Sequence, residues 1–209
     1  MRELLERAGG EPMTRADYLA DFERHFWSIG SPGFWKIQRQ QHMREPGHPS
    51  WETFARGRWD ESLRLLAADR ERIAAEHRRL NELGFTVQWV RVVEEPLTPY
   101  LQWELHVLRV REQCGSRVRV IRPRQVKALE AGGPLPEMHT LGTDVMYQVL
   151  YDDHGVFTAA RRYTDRELIA RCQRVLVDLH ACGEPLADYF AREVAHLAPP
   201  PLSHTRHQR

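Results

Sequence analysis

An α+β (or α/β) fold is expected: a small mixed β-sheet built on one βαβ unit plus a hairpin, flanked by helices, with a helical N-terminal part. Three observations carry that expectation. Residues 85–93 form an unbroken β-branched and aromatic run, which reads as a strand. A helical stretch and a second β-patterned run at Arg117–Ile121 follow, and strand, helix and strand within about 37 residues match a parallel, right-handed crossover. Gly142-Thr143 then separates two further β-patterned runs, as a hairpin turn does.

Taken in order, residues 1–13 read as a flexible arm ending in Gly9-Gly10-Glu11-Pro12. Residues 14–83 are the helical part. Thr14 or Asp17 is placed to cap a helix in which Tyr18, Phe22 and Phe26 recur every four residues. Residues 34–44 carry mixed signals: Trp35, Ile37 and Arg39 alternate as in a strand, while the Gln-rich run also suits a helix; a strand is preferred. After the turn-rich loop 44–57 comes one long helix over residues 59–83. Its stripe of Trp59, Leu63, Leu66, Arg70, Ile73, His77 and Leu80 ends at Gly84, in the position of a C-terminal cap. Arg70 and His77 interrupt the stripe, as a snorkelling arginine and a satisfied core-edge histidine or else as partner contacts. Residues 84–197 form the α/β core with its C-terminal helices. In this core Asp152-Asp153-His154-Gly155 is a turn into a strand near 156–163, and Thr164-Asp165 caps a further helix. Residues 198–209 are expected to be a disordered tail.

Thirty basic residues against 29 acidic ones give a net charge of +1, which points neither to nucleic acid nor to a membrane surface as a whole-chain partner. No apolar run approaches ~18 residues, so no span is expected. The start carries no export signal, and three cysteines without a CxxC fit a reducing compartment; a cytoplasmic location is expected. His154, Cys172, His180 and Cys182 lack the converging spacing of a metal site, so neither metal nor cofactor is expected.

The chemistry concentrates in residues 91–105, the end of a strand, a proline-punctuated turn and the first turns of a helix. Open α/β sheets place their ligands at such carboxyl ends. Tyr100, Trp103 and Glu104 share a helix face, and Arg91 leaves the strand just before them. With Glu95, and Asp153 from the later turn, they form the candidate ligand-binding set. If the protein is an enzyme, Glu104, Tyr100 and Glu95 are the candidates for acid–base work. A structural alternative pairs Arg91 with Glu95 or Glu104 to lock strand to helix. A second concentration, from Arg109 to Lys127, includes Arg117, Arg119, Arg122 and Arg124 as nucleic-acid candidates. Arg117 and Arg119 alternate with valines as on a solvated strand face, and no recognition-helix or zinc-finger signature accompanies them, so this reading ranks last.

Several stretches resemble an actinobacterial family of uncharacterised proteins. They are Phe34-Trp35-Lys36-Ile37, residues 51–57, residues 59–63, and the signature Pro96-Leu97-Thr98 followed by Tyr100-Leu101 and Glu104 after an Arg-bearing strand. The likeness spans roughly residues 34–189. It departs at residues 139–144, where commoner members carry an aromatic-rich segment. The resemblance implies association with small helix-turn-helix regulators, hence a regulatory or protein-interaction role with such a partner. The element order also resembles half of a phospholipase-D-type domain. Its His-x-Lys motif is missing, since the nearest stretch, residues 106–112, lacks the lysine and aspartate. That likeness implies a homodimer. The reading that emerges is a non-catalytic regulatory or adaptor domain that senses a small ligand at the Arg91–Glu104 junction. The alternatives are an enzyme at the same junction, tailoring a specialised metabolite or acting on an aminoacyl or phosphate ester, and nucleic-acid binding.

Overall fold

A computed structural model describes residues 1–201. In chain order, α1 (Arg2–Ala8) leads into β1 (Glu11–Thr14), α2 (Arg15–Phe26) and β2 (Phe34–Gln38). Three helices, α3 (Pro49–Ala55), α4 (Trp59–Ala68) and α5 (Arg70–Glu82), separate β2 from β3 (Val87–Val92). Helix α6 (Pro99–Gln113) joins β3 to β4 (Arg117–Ile121). A short α7 (Pro123–Val126) precedes β5 (Glu137–Leu141), β6 (Val145–Tyr151) and β7 (Phe157–Tyr163), followed by α8 (Arg166–Cys182), β8 (Glu184–Pro185) and α9 (Leu186–Glu193).

The strands form one mixed sheet in the order β1-β7-β6-β5-β2-β3-β4-β8. Strands β2, β3 and β4 are parallel neighbours, and every other pairing is antiparallel. The expected βαβ unit is therefore β3-α6-β4, and the hairpin is β5-β6 about Gly142. The fold is α+β, with a sheet larger than expected because both termini of the fold add edge strands.

Alternation sorts the side chains to two cores. Val90, Val92, Ile37 and Ile121 point toward α8 and α1, where they meet Leu5, Ile169, Cys172 and Leu176. Phe34, Val87, Trp89 and Val120 point the other way, toward Tyr18 and Phe26 of α2, Leu101, Leu105 and Leu108 of α6, and Leu186 and Tyr189 of α9. A third cluster sets Phe54 of α3 and Tyr100 and Trp103 of α6 around Met43.

The strand preferred within residues 34–44 is present as β2, in the middle of the sheet between β5 and β3. Two expectations are corrected. Residues 1–13 are not a loose arm: α1 buries Leu5, and β1 pairs with β7 from Glu11↔Arg162 to Thr14↔Ala159. The helix over 59–83 is interrupted at Asp69, whose carboxylate takes Arg72 Nε and Nη2 at 2.6 Å each. Gly84 does stop it, at φ 82° with its N–H on Asn81 O. On the stripe, Arg70 is exposed, and His77 is buried and hydrogen-bonded to Ser116 Oγ at 3.1 Å. Residues 202–209 of the expected tail lie outside the described residues; Ala198 O accepts a hydrogen bond from Gln102 Nε2 at 2.7 Å. No helix among the described residues is long and apolar enough to cross a membrane.

His139 on β5 is buried among Tyr18, Phe22 and Phe34, with Nδ1 3.0 Å from the Tyr18 hydroxyl. Burial, and then the Lys36 charge, hold its pKa well below the ordinary 6.5. The unfolded chain therefore binds a proton here that the folded chain refuses, and this contribution to stability is lost as pH falls through about 6.5. His139→Gln should lose less stability than the wild type between pH 7.5 and pH 5.5 in urea titrations. An equal loss in both proteins would refute the assignment.

Candidate functional site

The face of the sheet that meets α6 also carries polar side chains. On β2 the alternation that buries Phe34 puts Lys36 and Gln38 on the same face, and on β3 it puts Arg91 beside Trp89. Parallel pairing sets Lys36 opposite Trp89 and Gln38 opposite Arg91. Thr98 caps α6, accepting from Leu101 N at 3.1 Å, and Pro99 fills its first turn. The cap fixes the rotation of α6 so that Tyr100, Trp103, Glu104 and Arg111 face the sheet and the loop after β2.

Arg91 is fully buried and occupied on all sides. Its Nε donates to Glu104 Oε2 at 2.7 Å, its Nη1 to the carbonyls of Gln38 and Val92 at 3.2 and 3.1 Å, and its Nη2 to Gln40 O at 2.6 Å. Burial opposes its charge most, but Glu104, Tyr100 and Glu137 together outweigh it and hold the guanidinium above its usual range. The ion pair that sequence offered as a strand-to-helix lock is therefore present, with Glu104 as the partner.

From Glu104 the network continues outward. The Tyr100 hydroxyl lies 3.2 Å from Glu104 Oε1 and 3.0 Å from Glu45 Oε1. Burial, followed by the Glu104 charge, raises the Glu45 pKa. The loop bearing Glu45 is held by the β6–β7 turn, where Arg44 N donates to Gly155 O at 2.8 Å. A Cβ at Gly155 would come within 3.0 Å of His42 O, which explains the glycine there. Trp103 anchors the other side: its Nε1 donates to Ser50 Oγ at 3.0 Å, and its ring stacks on Phe54.

Between these elements lies a cavity of about 160 Å3 lined by Lys36, Gln38, Glu45, His48, Trp89, Tyr100, Trp103, Glu104 and Arg111. Lys36 Nζ sits 4.0 Å over the Trp89 ring. Burial lowers its pKa to about 8, against the opposing pull of Glu45, Glu104 and Glu137. Two buried polar atoms on this wall, Gln38 Oε1 and Trp89 Nε1, have no hydrogen-bond partner among the described residues. His48 also lines a more apolar neighbouring groove of about 660 Å3 with Leu65, Leu66 and Arg72. A third cavity, of about 410 Å3, opens past the end of β2 and is lined by Arg39, Tyr151 and Glu137. There Glu137 Oε1 accepts from the backbone N–H groups of Arg39 and Gln40 at 2.6 Å each, while Oε2 is unpartnered among the described residues.

Of the residues singled out in the sequence, the structure brings Arg91, Tyr100, Trp103 and Glu104 together, with Arg91 behind the cavity wall. Glu95 turns away from them, bonding Arg122 and lying 3.1 Å from the Tyr189 hydroxyl. Asp153 is exposed at the tip of its turn; its neighbour Asp152 carries the turn, accepting from His154 N and Val156 N at 2.9 Å. The basic residues form no single patch. Arg117 and Arg119 lie on the α8 side of β4, whereas Arg122 is paired with Glu95 and stacked over Tyr189, and Arg124 is exposed. Lys36, Gln38, Glu45, Trp89 and Arg111 were not anticipated. The first two were legible once residues 34–38 were read as a strand, because the phase that buries Phe34 carries Lys36 and Gln38 with it.

The class defined by this geometry is a mixed α+β domain with a small, partly open pocket of mixed polar and apolar lining against its central parallel strands. Residues 20–191 match the family model described as a domain of unknown function (DUF6879), and the chain belongs to that family. No curated protein matches the chain.

Tyr100→Phe removes the hydroxyl between Glu45 and Glu104, and with it the hydrogen bond that restrains the Glu45 pKa. A carboxyl raised in the folded state contributes stability at low pH that is lost as pH rises through its folded pKa. The substitution should therefore cost about 1–3 kcal/mol near neutrality and less at pH 5, as measured by urea unfolding. A cost that does not depend on pH would contradict this.

Proposed function

We propose that the chain is a non-catalytic, ligand-sensing regulatory domain that holds a small polar molecule in the pocket between β2, β3 and α6. The observation that carries this reading is a cavity lined by Lys36, Glu45 and Arg111 together with Gln38 and Trp89, two residues that each hold a buried polar atom (Oε1 and Nε1) unpartnered among the described residues. Burying a polar atom without a partner costs on the order of 1–3 kcal/mol, and a ligand bearing both a donor and an acceptor removes that cost. The space suits a molecule of a few heavy atoms, since about 160 Å3 corresponds to roughly five waters. With cations and carboxylates on facing walls, a zwitterionic or hydroxy-acid-like molecule is favoured over an apolar one.

In this reading occupancy is passed to a protein partner, and a helix-turn-helix regulator is the partner the family resemblance implies. The segment from Met43 through α4 is the element placed to transmit it, because it supplies Glu45, His48 and the Ser50–Trp103 contact that close the pocket. A second reading, acid–base catalysis, is favoured by one observation. Glu45, with its raised pKa, stands beside Tyr100 and Glu104 where the sequence had suggested Glu95.

Small amino acids and hydroxy acids titrated against the full chain should raise its melting temperature. Arg111→Glu, a half-exposed change outside the Arg91 network, should abolish that shift and leave the unliganded melting temperature within a few degrees. If no such compound shifts the wild type at millimolar concentration, the ligand-sensing reading fails. Conversion of a bound compound to product would decide for the catalytic one.

A further inference from the structure

Only two of the thirty basic residues in this chain are lysines, Lys36 and Lys127. Lys127 is exposed, whereas Lys36 stands on a central strand, with its amine at the pocket. A site that needs only a fixed positive charge is served better by arginine, whose guanidinium stays protonated and donates in a fork. Lysine offers something arginine does not, an amine that is a nucleophile once it loses its proton. No carboxylate among the described residues lies within salt-bridge distance of Lys36; its nearest aromatic neighbour is the Trp89 ring at 4.0 Å. Among the described residues the amine makes no hydrogen bond and no ion pair; it rests over the Trp89 ring beside the cavity. Across the same small space stands the Glu45 carboxyl, bridged by the Tyr100 hydroxyl to Glu104.

We propose that Lys36 captures a small aldehyde or ketone in this pocket as a reversible imine, with Glu45 as the proton carrier. The proposal rests on the ligand-pocket reading and names the ligand class as carbonyl compounds. The neutral amine attacks the carbonyl carbon, a C–N bond forms, the C=O π pair moves to oxygen, and the extra proton the nitrogen now sheds passes to that oxygen to give a neutral carbinolamine. The Glu45 carboxyl then protonates the hydroxyl, which leaves as water while the nitrogen lone pair forms the C=N bond. The resulting iminium proton returns to Glu45. The sum is amine plus carbonyl giving imine plus water, and no other reactant is needed. Trp89 covers one side of the amine, and Gln38, whose Oε1 is buried and unpartnered among the described residues, lines the same cavity. The amine's lowered pKa of about 8 leaves roughly one molecule in ten neutral at pH 7, enough for the first step without a separate base.

The test is reductive trapping of the full chain with glycolaldehyde and cyanoborohydride at pH 7, read by intact mass and peptide mapping. Lys36 should be alkylated at least tenfold faster than Lys127, with a rate that rises with pH and levels off above about 8. Glu45→Gln should slow Lys36 labelling severalfold while leaving Lys127 unchanged, and Lys36→Met should remove the fast site while keeping the wild-type circular dichroism spectrum. Ethylene glycol and glycolate, which cannot form an imine, are titrated in parallel by thermal shift. Equal labelling of the two lysines overturns imine capture. If glycolate still stabilises the protein in that case, the pocket reading survives alone; if it does not, both fall.

Discussion

The buried Arg91–Glu104 pair is the interaction on which the rest of the structure depends. Arg91 sits at the carboxyl end of β3, and its guanidinium ties the end of β2, the loop after it and the second turn of α6 to one point. A buried charge of this kind is tolerable only when every donor is satisfied, and here three backbone carbonyls and a carboxylate satisfy it. The loop after β2 has no regular ladder to follow, so these bonds substitute for one. Gln41 adds a second stitch, with its side chain donating to Val92 O at 2.9 Å and accepting from Glu94 N at 2.8 Å.

The clamp also decides what Glu104 and Tyr100 can do. With Oε2 of Glu104 held by Arg91, only Oε1 faces outward, and Tyr100 reads it and relays to Glu45. From the core to the pocket the network thus runs from arginine through a carboxylate and a neutral hydroxyl to a second carboxyl group. Lys36 approaches from the sheet side, and burial, more than the Arg111 charge, lowers the pKa of its amine to about 8. The pocket is small, and its groups are positioned by elements that the clamp fixes. In the proposed reading a small ligand would meet a formed site rather than assemble one.

Much of the architecture was legible because its signals are local. Residues 85–93 and 117–121 have strand composition, Thr164-Asp165 reads as a helix start, and Gly84 and Gly142 mark turns at the right places. The edge strand β1 was not legible. Four residues containing a proline form a strand only because β7 offers them a ladder. The break at Asp69 was hidden by a stripe that keeps its phase through a single non-helical residue. In the site, Arg91, Tyr100, Trp103 and Glu104 were legible because helical spacing and one turn bring them together. Lys36 and Glu45 come from a strand and a loop more than forty residues earlier, and only the parallel pairing of β2 with β3 delivers them. Glu95 looked equivalent to its neighbours in sequence, yet the turn points it outward to Arg122.

Whether Arg91 and Glu104 act as one unit is read from a double-mutant cycle. Urea unfolding of Arg91→Met, Glu104→Leu and the double variant gives the coupling energy. The account predicts that each single change costs about 3–5 kcal/mol, because it strands a buried charge, and that the double change costs clearly less than the sum. Additive costs would mean that the two side chains stabilise the fold independently, and the clamp would not be what holds the pocket together.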